Sequence, residues 1–261
     1  MDLGLQGKVA LIFGASGGLG GAMASTLATE GAKVVLAGRN GAALANLAGE
    51  LRAKGAEVLE LAWDLADLSV IEPNFVQIES AFGPVDILIN NTGGPPPSTA
   101  ANVAAEVWEQ HFHAMVVSVV KITDRALPQM RARKWGRIIT SASSGVIAPI
   151  PNLGVSNALR SALVAWSKTL AREVAADGIT ANIILPGRIA TPRITQLDQA
   201  RAGREKIAMD DVVKQSLAQI PAGRYGDPCE YGDVAAFLAS TRASYVTGSV
   251  IRVDGGYLAS I

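Results

Sequence analysis

Seven short apolar runs punctuate the chain, and their spacing is the strongest constraint on its fold. They are KVALIF (Lys8–Phe13), KVVLA (Lys33–Ala37), VLELA (Val58–Ala62), DILIN (Asp86–Asn90), RIITS (Arg137–Ser141), ITANII (Ile179–Ile184) and SVIRV (Ser249–Val253). Each is β-branched and apolar on both faces, as a parallel strand covered by helices on either side must be. Helical patterns fall between them: Leu19–Glu30, Ala42–Lys54, Val70–Phe82, Ala104–Arg133, Asn157–Asp177 and Glu230–Ala239. Regular βα alternation predicts an α/β chain, a single doubly wound Rossmann domain with a parallel sheet of about seven strands. Right-handed crossovers put its helices on both faces. No linker or repeat interrupts residues 1–261, so one domain is expected.

Two stretches break the rhythm. Thr92–Ala101 is rich in glycine and proline, and Thr191–Gly223 is polar, helix-prone and without a strand. Both follow strands, so both belong at the C-terminal edge of the sheet, where open α/β sheets bind ligands.

The first strand runs directly into Gly14-Ala-Ser-Gly-Gly-Leu-Gly20, which opens the first helix. A tight turn and a close backbone approach need glycine. Free N–H groups at a helix start attract a pyrophosphate. The strand–turn–helix setting distinguishes this run from a chance glycine motif.

Composition narrows the ligand. Lys plus Arg and Asp plus Glu are both 23, giving zero formal charge, so a nucleic-acid partner is not expected. Cys229 is the only cysteine, and His111 and His113 are the only histidines. No disulfide is possible, and no metal site is expected. The start shows no basic region followed by an apolar stretch, and no run is long enough to span a membrane. A cytoplasmic protein is expected.

Further landmarks are Asp64-Leu65, NNTGG (Asn90–Gly94), TSASSG (Thr140–Gly145), SKTLAREVAADGITANIILPGRIAT ending at Thr191, and VTGSVIRVDGG (Val246–Gly256). With the G-x-x-x-G-x-G turn they resemble the short-chain dehydrogenase/reductase family, and within it the bacterial 3-oxoacyl-acyl-carrier-protein reductase-like members. The resemblance covers nearly the whole chain. It implies a nicotinamide dinucleotide on Gly14, Ser16, Gly17, Gly18, Leu19 and Gly20. It also implies adenine contacts at Asp64 and Leu65, a ribose lying along Asn90 with Thr92 and Gly93 beside it, and a carboxamide end at Pro186, Gly187, Ile189 and Thr191.

The end of the second strand selects between dinucleotides. An NAD site usually carries an acid there. This chain has Arg39 and Asn40, and a guanidinium fork suits a 2′-phosphate. NADP(H) is therefore expected over NAD(H), with Ser16 and Asn40 adding hydrogen bonds.

The family's reduction uses a Ser, a Tyr, a Lys and an Asn. Counting from either flank, the Ser position is Ser143, the Tyr position Ser156 and the Lys position Arg160. Counting from Trp108 puts Met115 at the Asn position. No tyrosine precedes Tyr225, so no shift of register restores Y-x-x-x-K. Residues four apart share a helix face, so Ser156 and Arg160 can serve one site. Arg160 can donate to ribose hydroxyls and supply positive potential, but it keeps its proton. Ser156 can donate a hydrogen bond but is a weak acid. His111, Tyr225 and Tyr257 are the other candidate proton donors, while Ser141 and Ser144 read as strand-end hydrogen bonders.

These residues suit an oxidoreductase that reduces a carbonyl or acyl-thioester substrate, or oxidises the alcohol. A non-catalytic dinucleotide-binding sensor or assembly protein is the alternative, and lyase or isomerase chemistry on this fold a third. The resemblance implies that 191–223 is a substrate lid and that the chain forms a homotetramer or homodimer. The tail Val253–Ile261 is apolar enough to be buried. Met115, Val116, Val119 and Val120 are either core or interface.

Overall fold

The computed structural model describes residues 1–261. Seven strands form one parallel sheet: β1 (Val9–Phe13), β2 (Lys33–Gly38), β3 (Val58–Ala62), β4 (Ile87–Asn91), β5 (Gly136–Ser141), β6 (Ile179–Pro186) and β7 (Val250–Val253). Their order across the sheet is β3-β2-β1-β4-β5-β6-β7. The direction of winding reverses between β1 and β4, which opens a crevice at the C-terminal ends of those two strands.

Alternation along each strand builds two apolar layers. Ala10, Ile12, Val34, Leu36, Ile87 and Ile89 face Met23 and Leu27 of α1 (Gly18–Thr29), Leu44 of α2 (Gly41–Ala53), and Tyr231, Ala235 and Leu238. Leu11, Phe13, Val35, Leu88 and Ile138 face the other way, onto Phe75 and Ile78 of α3 (Ile71–Phe82), and onto Ile122, Ala126, Leu170 and Val174. Burial on both sides is why these runs carry no polar alternation.

The stretch read as one helix over Ala104–Arg133 is three segments. α4 (Ala105–Phe112) gives way to a wider π turn at His113–Val117, which leads into α5 (Ser118–Ala132). The extra residue in that turn alters the phase between His111 and Met115 that α-helical spacing implies. Met115, Val116 and Val119 pack on Val155, Leu159 and Leu163 of α6 (Gly154–Val174), so within this chain they are core. α6 also starts three residues before the Asn157 expected from sequence, which places Ser156 in its first turn.

Thr191–Gly223 folds as α7 (Pro192–Glu205) and α8 (Met209–Ala218). α9 (Pro228–Ala239) then packs against α1, and a Cβ on Gly232 would lie 2.4 Å from Thr26 Oγ1. The expected burial of the tail is not seen in the single chain. Ala259, Ser260 and Ile261 are exposed, because β7 is the edge strand and nothing of this chain lies beyond it. No helix is long and apolar enough to cross a membrane.

Candidate active site

The turn after β1 is built for close approach. Gly14 sits at φ 64°, and a Cβ there would lie 2.6 Å from Asn91 Nδ2. A Cβ on Gly20 would lie 2.2 Å from the Gly14 carbonyl oxygen. Above Gly17 a Cβ would meet nothing within 4 Å. The first turn of α1 has no side-chain cap, so its N–H groups face open space at the positive end of the helix dipole. Leu19 instead packs partly on the core.

Beside this turn, Ser16 is half-buried, with its Oγ 3.5 Å from the place a Cβ on Gly38 would take. Arg39 is exposed and pairs with no carboxylate. Asn40 caps α2 by accepting from the Ala43 N–H at 3.1 Å. Its carbonyl oxygen is thus committed, leaving its amide nitrogen to meet a phosphate. Asp64 is exposed at the end of β3 and accepts from the Ala66 N–H at 3.0 Å. Leu65 lies half-buried on the core beside it.

At the end of β4 the expected roles are redistributed. Asn90 is 1% exposed, and its Nδ2 donates to Thr123 Oγ1 and Thr140 Oγ1, both at 3.4 Å. Its side chain points down into the protein, so it cannot lie along a ribose; only its main chain reaches the crevice. Asn91 faces the glycine turn, donating to the Phe13 carbonyl at 3.2 Å. Thr92 is buried with an unpartnered Oγ1, and Gly93 is exposed with no atom within 4 Å of a Cβ.

Two remote segments complete the crevice. Gly187, after Pro186, donates to the Val253 carbonyl at 2.8 Å. A Cβ there would lie 2.5 Å from Asp254 Cα. Ile189 is buried against Gly226, so any contact it makes with a ligand comes from its main chain. Thr191 sits over the glycine turn, 3.8 Å from the place a Cβ on Gly18 would occupy.

The side chains at the four reductase positions behave differently from one another. Ser143 is half-buried, and its Oγ accepts from the Gly145 N–H at 3.1 Å. Ser156 is half-buried, and its hydroxyl has no protein partner. Met115 is sealed in the apolar cluster under α6. Arg160 is buried and donates to the Ser141 carbonyl at 3.3 Å, the Thr92 carbonyl at 3.3 Å and the Gly93 carbonyl at 3.4 Å. It therefore ties the ends of β4 and β5 together. Burial pushes its guanidinium down to about 10, with Tyr231 opposing and Arg193 adding to the fall. It stays protonated at neutral pH.

Two polar groupings escaped the sequence. Tyr231 of α9 is fully buried, with its hydroxyl 2.9 Å from Ser141 Oγ and donating to the Ile184 carbonyl at 3.1 Å. Burial raises its pKa above the ordinary tyrosine value, so it braces the strand end and does not give up a proton. Asp198, within the stretch that reads only as polar and helix-prone, is 2% exposed. It accepts from Tyr225 at 2.8 Å and from Arg188. These three bind α7 to the segments after β6 and before α9, and they take Tyr225 out of the running as a proton donor. Only the capping pattern Asp227–Glu230 nearby was a visible cue. His113 is exposed and His111 half-buried, and neither bonds to a site residue. No group of three or more His, Cys, Asp or Glu side chains could hold a metal ion.

The residues present fit a dinucleotide: an open glycine turn, a partnerless cation at the end of β2, and an orphaned buried hydroxyl at Thr92. A parallel sheet with this crevice and this turn defines the nucleotide-binding class of α/β folds. The chain belongs to the short-chain dehydrogenase/reductase family. Residues 14–258 match the family model described as enoyl-(acyl carrier protein) reductase. The chain is 38% identical over 260 residues to the 3-oxoacyl-[acyl-carrier-protein] reductase FabG of Escherichia coli, covering 97% of this chain and 98% of that one. It is 32% identical to D-beta-hydroxybutyrate dehydrogenase of Cupriavidus necator, covering 98% and 99%. Among solved structures it resembles L-sorbose reductase of Gluconobacter frateurii, complexed with NADPH and L-sorbose, at TM-score 0.94 and 36% identity over the full length of both.

Proposed function

We propose that the protein is an NADP(H)-dependent oxidoreductase that interconverts a carbonyl compound, 3-oxoacyl-like or another small ketone or aldehyde, with its alcohol. The observation that carries this reading is the meeting of the open glycine turn, Arg39, Thr191 and the Arg160-tied ends of β4 and β5 in one crevice. When bound, NADP(H) supplies hydride for reduction and takes it back in the reverse direction.

The residues divide the work by place. The N–H groups of Gly14–Gly20 hold the pyrophosphate, while Ser16, Arg39 and the Asn40 amide nitrogen hold the 2′-phosphate. Asp64 and Leu65 flank the adenine. The main chain at Asn90, with Thr92, Gly93 and Arg160, borders the nicotinamide ribose. Pro186, Gly187, Ile189 and Thr191 border the carboxamide. Residues 191–223 form the lid over the substrate.

Ser143 orients the carbonyl, and Ser156 donates a hydrogen bond to its oxygen. Arg160 supplies a fixed positive charge where negative charge develops. Neither Ser156 nor Arg160 releases a proton readily, so water gives the proton to the substrate oxygen. Losing a dedicated general acid slows such a step by about 10²–10⁴-fold without abolishing it. The buried Met115, where the relay asparagine is expected, favours a second reading: a dinucleotide-binding sensor that does not turn over.

Titration with NADPH and NADH, followed by a carbonyl panel, tests both. We expect tight NADPH binding and slow, carbonyl-dependent NADPH oxidation. Arg39→Asp should weaken NADPH about tenfold or more and leave NADH nearly unchanged; equal loss of both would refute the phosphate role. Tight NADPH binding with no turnover on any carbonyl would leave the sensor reading.

A further inference from the structure

Two guanidinium groups converge at the mouth of the crevice without an acid between them. Arg160 comes from α6 and Arg193 from the first turn of α7. The place a Cβ on Gly94 would occupy lies 3.6 Å from Arg160 Nη2 and 3.7 Å from Arg193 Nη2. No other atom approaches that place within 4 Å, and Gly94 is exposed. Neither arginine forms an ion pair; their only partners are main-chain carbonyls, with Arg193 reaching the Pro95 carbonyl at 3.5 Å.

A buried, hydrogen-bonded cation with no counter-charge is held at a cost. A second cation beside it raises that cost. Elsewhere in the chain half-buried arginines do find acids: Arg188 meets Asp198, and Arg125 meets Glu72 and Glu79. Arg137 is also buried without an acid, held by the Ser240, Gly136 and Gly178 carbonyls, but it stands alone; only at the open end of the crevice do two such guanidinium groups meet. Arg193 Nη2 keeps one N–H beyond its bond to Pro95, and an anion over Gly94, which draws charge-assisted bonds of about 2.7–2.9 Å, can displace one of the long carbonyl bonds of 3.3 and 3.4 Å that Arg160 Nη2 makes. The buried Thr92 hydroxyl on the same loop is unpartnered, and no side chain caps the first turn of α7.

We infer that Arg160 and Arg193 form a carboxylate-binding subsite over Gly94, so that the substrate is a free oxo acid held by its carboxylate beside the reacting carbonyl. This rests on the reductase reading and sharpens its substrate class. It separates the protein from a reductase of neutral thioesters, whose reacting end carries no anion.

The test uses full-length protein loaded with NADP⁺. Acetate, acetoacetate and levulinate are titrated calorimetrically against their neutral amides. NADPH affinity is measured in parallel by fluorescence. The carboxylates should bind about tenfold or more tighter than the amides. Arg193→Gln should erase that preference and leave NADPH affinity unchanged. Gly94→Asp, which places a carboxylate between the two arginines, should abolish carboxylate binding and also spare NADPH. Three outcomes overturn the proposal. In the first, the wild type does not distinguish acids from amides although NADPH binds. In the second, Arg193→Gln keeps the full preference. In the third, that variant loses NADPH as strongly as carboxylate, which would assign the pair to the cofactor. Failure of NADPH to bind the wild type would instead bring down the reductase reading, and the substrate proposal with it.

Discussion

Arg160 shows how one substitution can change chemistry and keep architecture. A lysine holds a point charge on a flexible stem, whereas a guanidinium forks. Here the fork reaches carbonyls on two neighbouring strand ends, and it cannot share its proton. Ser156 beside it is a hydrogen-bond donor too weak to act as an acid. The pair Ser156→Tyr with Arg160→Lys should therefore raise kcat by about 10²-fold or more, measured on whichever carbonyl the wild type turns over slowly. An unchanged rate would mean that Met115 or the crevice wall also limits catalysis. The motif positions themselves were legible in the sequence, because flanking landmarks fix their register. Side-chain direction was not. Asn90 reads as a ligand contact, yet strand alternation turns its amide towards Thr123 and Thr140.

Among the elements, α9 does more than its short sequence suggests. Tyr231 passes a hydroxyl beneath the ends of β5 and β6, satisfying Ser141 and the Ile184 carbonyl. Tyr231→Phe would leave the buried Ser141 hydroxyl without its partner, while the Ile184 carbonyl keeps the Ala142 N–H, and should cost about 1–3 kcal/mol, read as a lower Tm. The start of the same helix is held by Glu230, which accepts from the Asp227 N–H at 2.7 Å and from both ends of the Arg224 fork at 2.7 Å. Arg224 and the Asp227 N–H hold the Glu230 carboxyl down at about 2. Its contribution to stability is thus present above its ordinary pKa of about 4.3 and fades as pH falls towards 2. Glu230→Gln should flatten acid sensitivity over that window in a pH series of thermal melts. The pair is solvent-exposed, so the effect is small. Strands were readable from β-branched runs. The π turn at His113–Val117 was not, because one extra residue per turn leaves an amphipathic pattern largely intact.

For the molecule as a whole, the sheet order and the crevice follow from βα alternation, since right-handed crossovers leave few other arrangements. What lies beyond the edge strand could not be read in that way. An apolar tail reads as buried, but Ile261 is fully exposed, as is Tyr245 ahead of β7, and Val250 on β7 is partly open to solvent. We propose that copies of the chain cover this edge in a homotetramer or homodimer. Light scattering should then return a mass at a multiple of 27.0 kDa; the mass of a single chain would show that the edge stays open.

The packing of α1 on α9 also bears on how the chain is made. Met23, Ala24 and Leu27 are followed only after more than 200 residues by Tyr231, Ala235 and Leu238, which close over the same layer. A ribosome delivers residues in order, so β1, α1 and β2 emerge with part of one apolar face uncovered and stay so until α9 has been made. Parallel sheets assembled from such distant segments fold slowly and leave sticky intermediates in the interim.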